Sequence, residues 1–288
     1  MNVLITAGGT SEAIDAVRSI TNYSTGRLGS IIADYLGSKN AAITYVCGES
    51  AVLPSSNNAD IIRIRNAQGL SHTISGLLAA RQFDCVIHSM AVSDFTPQAA
   101  LTLDDIVASA ASAVESSVFA GLAHNLPSPA WDEGSLESLA QARNEGLSAI
   151  IRAAILSSAK PLDGEKISSK NQDLMILLKQ TPKVIKLIKA KQPKTILVGF
   201  KLLSGVSEGD LLQVANNLLT QAPCDFVLAN DLQNINGDTH KAILLDKAGN
   251  IKRAATKQEI AELIYKAVSA AGPCPAEPSF TTERTGKH

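Results

Sequence analysis

Short runs of aliphatic residues alternate with amphipathic helical segments along most of the chain, and this alternation limits the folds that the sequence can form. Because most of these runs are continuously apolar, we expect strands that are buried on both faces, as in a parallel sheet covered by helices. The sequence therefore predicts an α/β fold with a doubly wound, mostly parallel, Rossmann-like sheet. The predicted strands are residues 2–6, 43–47, 60–65, 84–89, 195–200 and 225–229, and the predicted helices are residues 25–38, 70–80, 211–219 and 257–268.

Three segments depart from the alternation. Residues 242–246 and 251–254 flank a Lys-Ala-Gly-Asn turn, which predicts a C-terminal β-hairpin. Residues 98–160 are rich in Ala and Ser, and we expect an inserted, mobile helical excursion, with a separate small helical domain as the alternative. We therefore expect a single α/β domain over residues 1–270 and a disordered tail over residues 271–288.

Composition excludes several classes of function. Lys and Arg number 26 and Asp and Glu number 27, so the net charge of -1 provides no overall basic field for nucleic acid. No apolar run reaches the roughly 18 residues of a membrane span, and the amino terminus lacks the pattern of a signal peptide. The four cysteines are far apart, which is typical of reduced thiols in a cytoplasmic protein and offers no metal-ligand cluster.

The first candidate binding element is the turn after the first strand, where Gly8 and Gly9 precede Thr10. Glycines let backbone N–H groups approach an anion, so the turn is typical of a phosphate cradle, although a tight turn without a ligand is the alternative. The turn matches neither GxGxxG nor GxxxxGK[ST]. It also lacks the acid about twenty residues later that a ribose-binding dinucleotide fold requires.

The second element surrounds the start of the first predicted helix. Ser24 and Thr25 are predicted to cap this helix, whose unpaired N–H groups would form a second anion site. Asn22 precedes it, and its amide can donate to a carbonyl oxygen that becomes negative in a tetrahedral transition state. Gly26 and Gly29 permit close approach, either by a ligand or by the sheet. An Asx turn before a capped helix is the alternative without function.

Further candidates follow the later strands, at the edge where doubly wound sheets bind ligands. Asp94 could contact a base, a ribose or a metal-bound phosphate, Phe200 could stack on a base, and Asn230 could hydrogen-bond one. Each of these could instead be a turn or core residue. His88 lies within a strand and is expected to be a core histidine.

Two polar segments complete the list of candidates. Lys166 and Lys170 could supply charge to a phosphoryl transition state from a movable segment, with solvated lysines as the alternative. Thr181 is predicted to cap a helix that has Pro182 at its first position.

In sequence order these motifs resemble phosphopantothenate–cysteine ligase, and more closely its free-standing bacterial form. The motifs cover residues 1–97 and 161–268 and are GGT-S-E-A-ID-x-VR-x-ITN-x-S-T-G-x-x-G, AVSDF, KISS, L-L-K-x-TPK, VGFKLL and DFVLAND. The resemblance implies a ligase of coenzyme A biosynthesis, which forms an acyl-nucleotidylate from 4'-phosphopantothenate and a nucleoside triphosphate and then transfers the acyl group to cysteine. It implies CTP as co-substrate, with ATP possible, and Mg²⁺.

By position, the resemblance implies three catalytic residues. Asn22 would act on the acyl intermediate, Arg18 would bind a carboxylate or phosphate, and Lys166 would be the first lysine of a flap over residues 161–172. The implied substrate-binding residues are Asn22, Arg18, Met90 and Ala91, and the implied nucleotide- or phosphate-binding residues are Gly8, Gly9, Thr10, Ser24, Thr25, Gly26, Asp94, Thr181, Pro182 and Phe200. No metal ligand from a protein side chain is expected.

The chain departs from the family at two places. The flap motif is KxKK in many members and KISS here, so Lys166 is the lysine carried over, with Lys170 as a further candidate. Many fused members carry two lysines shortly before the AND motif, whereas residues 218–225 contain none. The resemblance implies a homodimer that takes small-molecule substrates, with no nucleic-acid or membrane partner. An NAD(P)-dependent oxidoreductase and a catalytically silent nucleotide-binding protein are the alternatives.

Overall fold

The computed structural model describes residues 1–56, 58–122, 133–162, 164–168 and 173–272, and side chains within that part except those of residues 114–144. The strands are β1 (Asn2–Ala7), β2 (Ser11–Ala13), β3 (Ser19–Thr21), β4 (Ala42–Gly48), β5 (Ala59–Ile64), β6 (Cys85–His88), β7 (Phe95–Leu101), β8 (Lys160–Pro161), β9 (Met175–Gln180), β10 (Ile196–Leu203), β11 (Phe226–Asn236), β12 (Thr239–Asp246) and β13 (Ile251–Thr256). The helices are α1 (Arg27–Ser38), α2 (Ala67–Ala80), α3 (Leu103–Leu122), α4 (Glu133–Ser158), α5 (Val184–Lys191), α6 (Glu208–Gln221) and α7 (Lys257–Ala271).

The chain divides into two compact units, where the sequence predicted one domain over residues 1–270. The first unit contains residues 1–10, residues 22–92 and the described chain from Lys183 onward. The second contains residues 11–21 and 93–182, so the helices of the predicted excursion share their unit with strands from both sides of it. The predicted disordered tail lies outside the described residues beyond Gly272.

The first unit contains an eight-stranded sheet in the order β13-β12-β11-β10-β6-β1-β4-β5. The strands from β11 to β5 in this order are parallel, and β12 and β13 are antiparallel. All four residues of β6 are buried, as are all but the first of β1, which explains their continuous apolar sequences. The predicted doubly wound, mostly parallel, Rossmann-like sheet and its C-terminal hairpin β12–β13 are confirmed.

Alternate residues of β1 enter two different hydrophobic clusters, because successive side chains of a strand point to opposite faces. Val3 and Ile5 pack in one cluster with residues of α1 and α7, and Leu4 packs in the other with residues of α2, α5 and α6. Helices therefore cover both faces of the sheet. The core is aliphatic, as the low aromatic content of 4% indicates.

The second unit contains a three-stranded antiparallel sheet in the order β8-β7-β9, a β2–β3 hairpin and the helices α3 and α4. None of these five strands was predicted. Strand β7 contains Pro97, which cannot donate to a ladder, and its pairing with β9 shifts register between Pro97 and Ala99. Strand β9 begins with the apolar run of residues 175–178, but most of its residues are exposed, so it is not a buried strand of the kind that the sequence analysis looked for.

Two predicted helix caps are wrong. The N-cap of α1 is Gly26, with φ of 73°, and not Ser24 or Thr25. The left-handed conformation at this position strains any residue with a Cβ, so glycine takes the place of a capping hydroxyl. Helix α5 begins at Val184 after the N-cap Lys183, because the hydroxyl of Thr181 instead donates to the carbonyl of Ser93 at 2.6 Å.

The start of α1 packs on the end of β1 through glycines. A Cβ at Gly29 would lie 2.5 Å from the Cβ of Ala7, and a Cβ at Gly26 would lie 3.2 Å from the backbone N of Gly8. Gly8 itself has φ of 82°. The sequence analysis explained Gly26 and Gly29 by close approach of either a ligand or the sheet. The structure shows close approach by the sheet.

His88 is a core histidine, as predicted. It is 7% exposed, and its Nδ1 lies 2.8 Å from the hydroxyl of Thr6. Burial lowers the pKa of His88 to about 4, so the ring is neutral at pH 7.

The described cysteines Cys47, Cys85 and Cys224 are buried free thiols, and Cys274 lies outside the described residues. Among the helices of the described chain, none combines the length and the apolar character that crossing a bilayer requires.

We expect Gly29→Ala to lower the free energy of unfolding by about 1–3 kcal/mol, because the added methyl overlaps Ala7 in a closely packed contact. Urea unfolding measures this. Gly76→Ala is the matched control, since Gly76 is also helical but has open space around it, and should raise stability by about 0.5–1 kcal/mol. A Gly29→Ala protein as stable as the wild type would contradict the packing argument.

Candidate active site

A cavity of about 370 Å³ opens in the first unit beside the start of α1, the segment after β6 and the carboxyl halves of β10 and β11. Doubly wound sheets bind ligands at this edge. The cavity is lined by six residues that the resemblance implied, and these are Ser24, Thr25, Gly26, Met90, Ala91 and Phe200. Asn230, named from the sequence as a candidate base contact, lines it too.

The turn at Gly8, Gly9 and Thr10 supports this lining through its backbone. The N–H of Ala91 donates to the carbonyl of Gly8 at 2.9 Å, and the N–H of Thr10 donates to the carbonyl of Ala91 at 3.1 Å. A side chain at Gly9 would overlap the carbonyl of Asn22. Because the N–H of Thr10 is hydrogen-bonded to a protein carbonyl, this turn holds the backbone of Ala91 beside the cavity.

Asn22 is half-buried and directly precedes the lining residues at the start of α1. Its N–H donates to the carbonyl of Thr10 at 3.4 Å. The backbone of Asn22 is therefore held from two sides, by this bond and by its contact with Gly9. A side chain on so fixed a backbone is well suited to orient a ligand.

A polar cluster, of which the sequence analysis identified Asn230 but not His240 or Lys257, lines the cavity on the side of β11 and β12. Asn230 Nδ2 and His240 Nε2 lie 2.9 Å apart, and both residues are buried. Burial, helped by the nearby charge of Lys257, lowers the pKa of His240 to about 4, so its neutral ring can accept this hydrogen bond. Lys257 also lines the cavity and donates to the carbonyl of Gly237.

One signal in the sequence could have located His240. The dipeptide Asn236-Gly237 is typical of a tight hairpin turn, and Gly237 has φ of 56°. Recognising it would have extended the sixth predicted strand beyond residue 229 and placed His240 opposite Ile235, as the structure has it.

In the second unit, Arg18 forms an ion pair with Asp15 at 2.6 Å and donates to the carbonyl of Ile167 at 2.7 Å. The Arg18 guanidinium, together with backbone N–H donors, holds the pKa of Asp15 well below its usual range. Lys166 precedes Ile167 and is exposed. Lys170 lies outside the described residues.

Three other implied residues also lie in the second unit. The N–H of Thr181 donates to the carbonyl of Asp94 at 3.0 Å, which brings these residues together, and Pro182 follows directly. Asp94 is exposed. The pairing of β7 with β9 explains this juxtaposition, since Phe95 pairs with Gln180.

Within the described residues, no group of three or more His, Cys, Asp or Glu side chains is arranged to hold a metal ion.

Similarity to known proteins extends over the regions that contain the cavity-lining residues. The profile of the family described as DNA/pantothenate metabolism flavoprotein C-terminal domain matches residues 1–103 and 135–271. A curated relative, the coenzyme A biosynthesis bifunctional protein CoaBC of Thermococcus kodakarensis, is 27% identical over 265 residues, which cover 91% of this chain and 49% of the relative. The chain thus spans about half the length of that relative.

Solved structures agree with this result. The DNA/pantothenate metabolism flavoprotein from Streptococcus pneumoniae is 35% identical, with a TM-score of 0.71 over 94% of this chain and 99% of that chain. A Cab2 mutant in complex with phosphopantothenate-cysteine is 17% identical, with a TM-score of 0.55 over 93% of this chain and 85% of that chain. The second likeness shows the fold alone.

We expect the free energy of unfolding to fall as the pH drops from 6.5 toward 4. An unfolded histidine binds a proton near pH 6.5, whereas His88 and His240 in the folded protein stay neutral until about pH 4. Each ring should contribute a slope of up to about 1.4 kcal/mol per pH unit in this window. Urea unfolding across the window measures the slope.

The His88→Gln and His240→Gln variants should each reduce this slope, because each removes one neutral buried ring. Equal slopes in the wild type, His88→Gln and His240→Gln would contradict the assignment of neutral buried rings.

Proposed function

The chain belongs to the DNA/pantothenate metabolism flavoprotein C-terminal domain family, and we propose that it is a phosphopantothenate–cysteine ligase of coenzyme A biosynthesis. The observation that carries the proposal is the cavity of the first unit, whose lining collects six residues implied from sequence motifs far apart in the chain. The Thermococcus kodakarensis relative, which is named for coenzyme A biosynthesis and is matched over 91% of this chain, gives further support for the pathway.

In the proposed reaction the carboxylate of 4'-phosphopantothenate attacks the α-phosphorus of the nucleoside triphosphate. The bond to pyrophosphate breaks, and an acyl-nucleotidylate forms. The amine of L-cysteine then attacks the activated carbonyl, releases the nucleoside monophosphate and loses a proton. The product is 4'-phosphopantothenoylcysteine.

The cavity has features that suit a nucleotide. Phe200 offers a ring on which a base can stack, and Asn230, held by His240, offers an amide for its polar edge. The amino-terminal end of α1, where a helix carries partial positive charge, favours phosphate. Arg27 and Lys257 are the basic residues of the lining, and we propose that they supply the charge that lysines before the AND motif supply in other members.

Asn22 is the proposed donor to the acyl oxygen when cysteine attacks, because its backbone is fixed next to the cavity lining. Lys166 is the proposed charge partner of the phosphoryl group in the first half-reaction. Arg18 is proposed to bind an anionic group of the substrate, and its Nη1 is the nitrogen for which the described residues provide no hydrogen-bond partner.

We propose CTP as the co-substrate, taken as its Mg²⁺ complex, with ATP as the alternative nucleotide. Mg²⁺ keeps several waters and usually binds through substrate phosphates, so we propose that the triphosphate brings the ion to the site. The three buried free thiols are consistent with a reducing compartment, and we infer a cytoplasmic location from them.

A homodimer is also proposed. Apolar side chains are exposed in each unit, and a second copy would cover them. In the first unit Tyr23 is 99% exposed and Leu232 is 53% exposed, and in the second unit Val17 is 67% exposed.

An oxidoreductase is less well supported on this chain. In a dinucleotide-binding fold the glycine turn leads directly into a helix, whose N-terminus holds the pyrophosphate. Here β2 and β3 intervene between Gly9 and the start of α1 at Arg27.

We expect the purified protein to release pyrophosphate from CTP only when 4'-phosphopantothenate is present, and to form the cysteine amide when cysteine is added. Parallel assays with CTP and ATP at equal concentration measure the nucleotide preference, which we expect to favour CTP. Tight binding of NADH without any release of pyrophosphate would contradict the proposal.

We expect Asn22→Ala to slow amide formation by about 10²–10³-fold while nucleotide binding is retained, because a donor to the transition-state oxyanion is lost. Rapid-quench measurement of the acyl intermediate separates the two half-reactions. Asn217→Ala is the matched control, since Asn217 is exposed on α6. An unchanged rate of amide formation in Asn22→Ala would remove the role proposed for this residue.

A further inference from the structure

Asp15 is at the centre of a hydrogen-bonded cluster that joins the loop before Asn22 to the segment after Lys166. Its Oδ1 accepts from the N–H groups of Val17 at 2.9 Å and of Arg18 at 2.8 Å. Its Oδ2 accepts from Arg18 Nε at 2.9 Å and Arg18 Nη2 at 2.6 Å, and also from the N–H of Ile167 at 3.1 Å. The Asp15 side chain is completely buried.

The cluster holds Ile167 by both of its backbone polar groups. Its N–H donates to Asp15, and its carbonyl accepts from Arg18 Nη2 at 2.7 Å. Ile167 lies 149 positions from Arg18 in the sequence, so these bonds connect distant parts of the chain. Hydrogen bonds to charged groups are stronger than neutral ones, and those of Asp15 remain charge-assisted because its pKa lies well below the usual range.

These bonds also restrict what Arg18 can do. A guanidinium has five N–H donors, and the Nε and Nη2 donors face Asp15 and Ile167. Within the part of the chain that the structure describes, Nη1 is the nitrogen of Arg18 left to meet a substrate anion. Asp15 itself accepts five hydrogen bonds and is shielded from solvent, so it has no capacity to act as a base on a substrate.

We propose that Asp15 is a positioning residue of the ligase reaction: through Arg18 and the backbone of Ile167 it holds Lys166 in the place where that lysine acts, an inference that rests on the proposed function. The loss of Asp15 and the loss of Lys166 should therefore affect the same step. In this scheme the Asp15–Arg18 pair both aims Nη1 of Arg18 and fixes the neighbour of Lys166.

Asp15→Asn tests this with little change in shape. Each carboxylate oxygen accepts at least two N–H donors, so an amide NH₂ in either place opposes donors and weakens the cluster. We expect kcat for pyrophosphate release to fall about 10- to 100-fold, as for a misplaced catalytic group, with KM for the nucleotide changed less than about twofold. In a Lys166→Ala background and at saturating 4'-phosphopantothenate, so that substrate binding by Arg18 does not limit the rate, Asp15→Asn should lower kcat by less than about twofold more.

A second readout does not depend on activity. Trypsin cuts the bond between Lys166 and Ile167, and mass spectrometry follows that site alone. Cleavage there should be about tenfold faster in Asp15→Asn, because the form in which Ile167 is released from Asp15 and Arg18 becomes more populated. Arg18→Lys, which keeps the charge but loses the planar fork, should have the same effect and covers the case in which Asp15→Asn does not fold.

Asp246→Asn is the matched control. Asp246 also accepts two backbone N–H groups, from Ala248 and Asn250, but it lies in the β12–β13 turn of the first unit. It should change neither readout. Unchanged cleavage at Lys166 in Asp15→Asn and Arg18→Lys would overturn the positioning contact.

The catalytic half of the proposal has its own outcomes. If the wild type is active and the effects of Asp15→Asn and Lys166→Ala on kcat for pyrophosphate release are fully additive, the link to catalysis is overturned. A wild type that releases no pyrophosphate would overturn the proposed function and this role together, while the cleavage result would still decide the contact.

Discussion

The close contact between the start of α1 and the end of β1 determines whether this protein has a site. A Cβ on Gly29 would overlap the Cβ of Ala7, and a Cβ on Gly26 would press on the backbone N of Gly8 at 3.2 Å. The contact brings the amino-terminal end of α1 to the carboxyl edge of the sheet, next to the segment after β6. A bulkier residue would move the helix start away, and the lining of the cavity would lose one of its sides.

The sheet of the first unit could be predicted because its signals are local. Each buried parallel strand is a continuous aliphatic run, and each helix between strands has its own apolar periodicity. The second unit lacks such signals, since β7 contains Pro97 and pairs with β9 across more than seventy residues. The cap predictions at Ser24 and Thr181 failed for a related reason: tertiary contacts of Gly26 and Ser93 decided the local geometry.

The site was predicted to a similar extent. Motifs after the first and fourth predicted strands, together with Phe200, identified much of the cavity lining. His240 was missed because it reaches the cavity on the β11–β12 hairpin, whose length the sequence analysis underestimated. Lys257, the first residue of α7, was missed because its contact with the hairpin turn at Gly237 is a tertiary one. The Asp15–Arg18–Ile167 cluster could not be predicted at all, since no local pattern specifies that a buried carboxylate binds the backbone of a residue so far along the chain.

The location of the bound nucleotide decides whether the cavity of the first unit is the active site. A crystal structure of the protein with a non-hydrolysable CTP analogue would test this most directly. We expect the phosphates to lie within hydrogen-bond distance of the backbone N–H groups at residues 24–29, and the base to lie against Phe200. A nucleotide bound outside the cavity of the first unit would contradict the central claim.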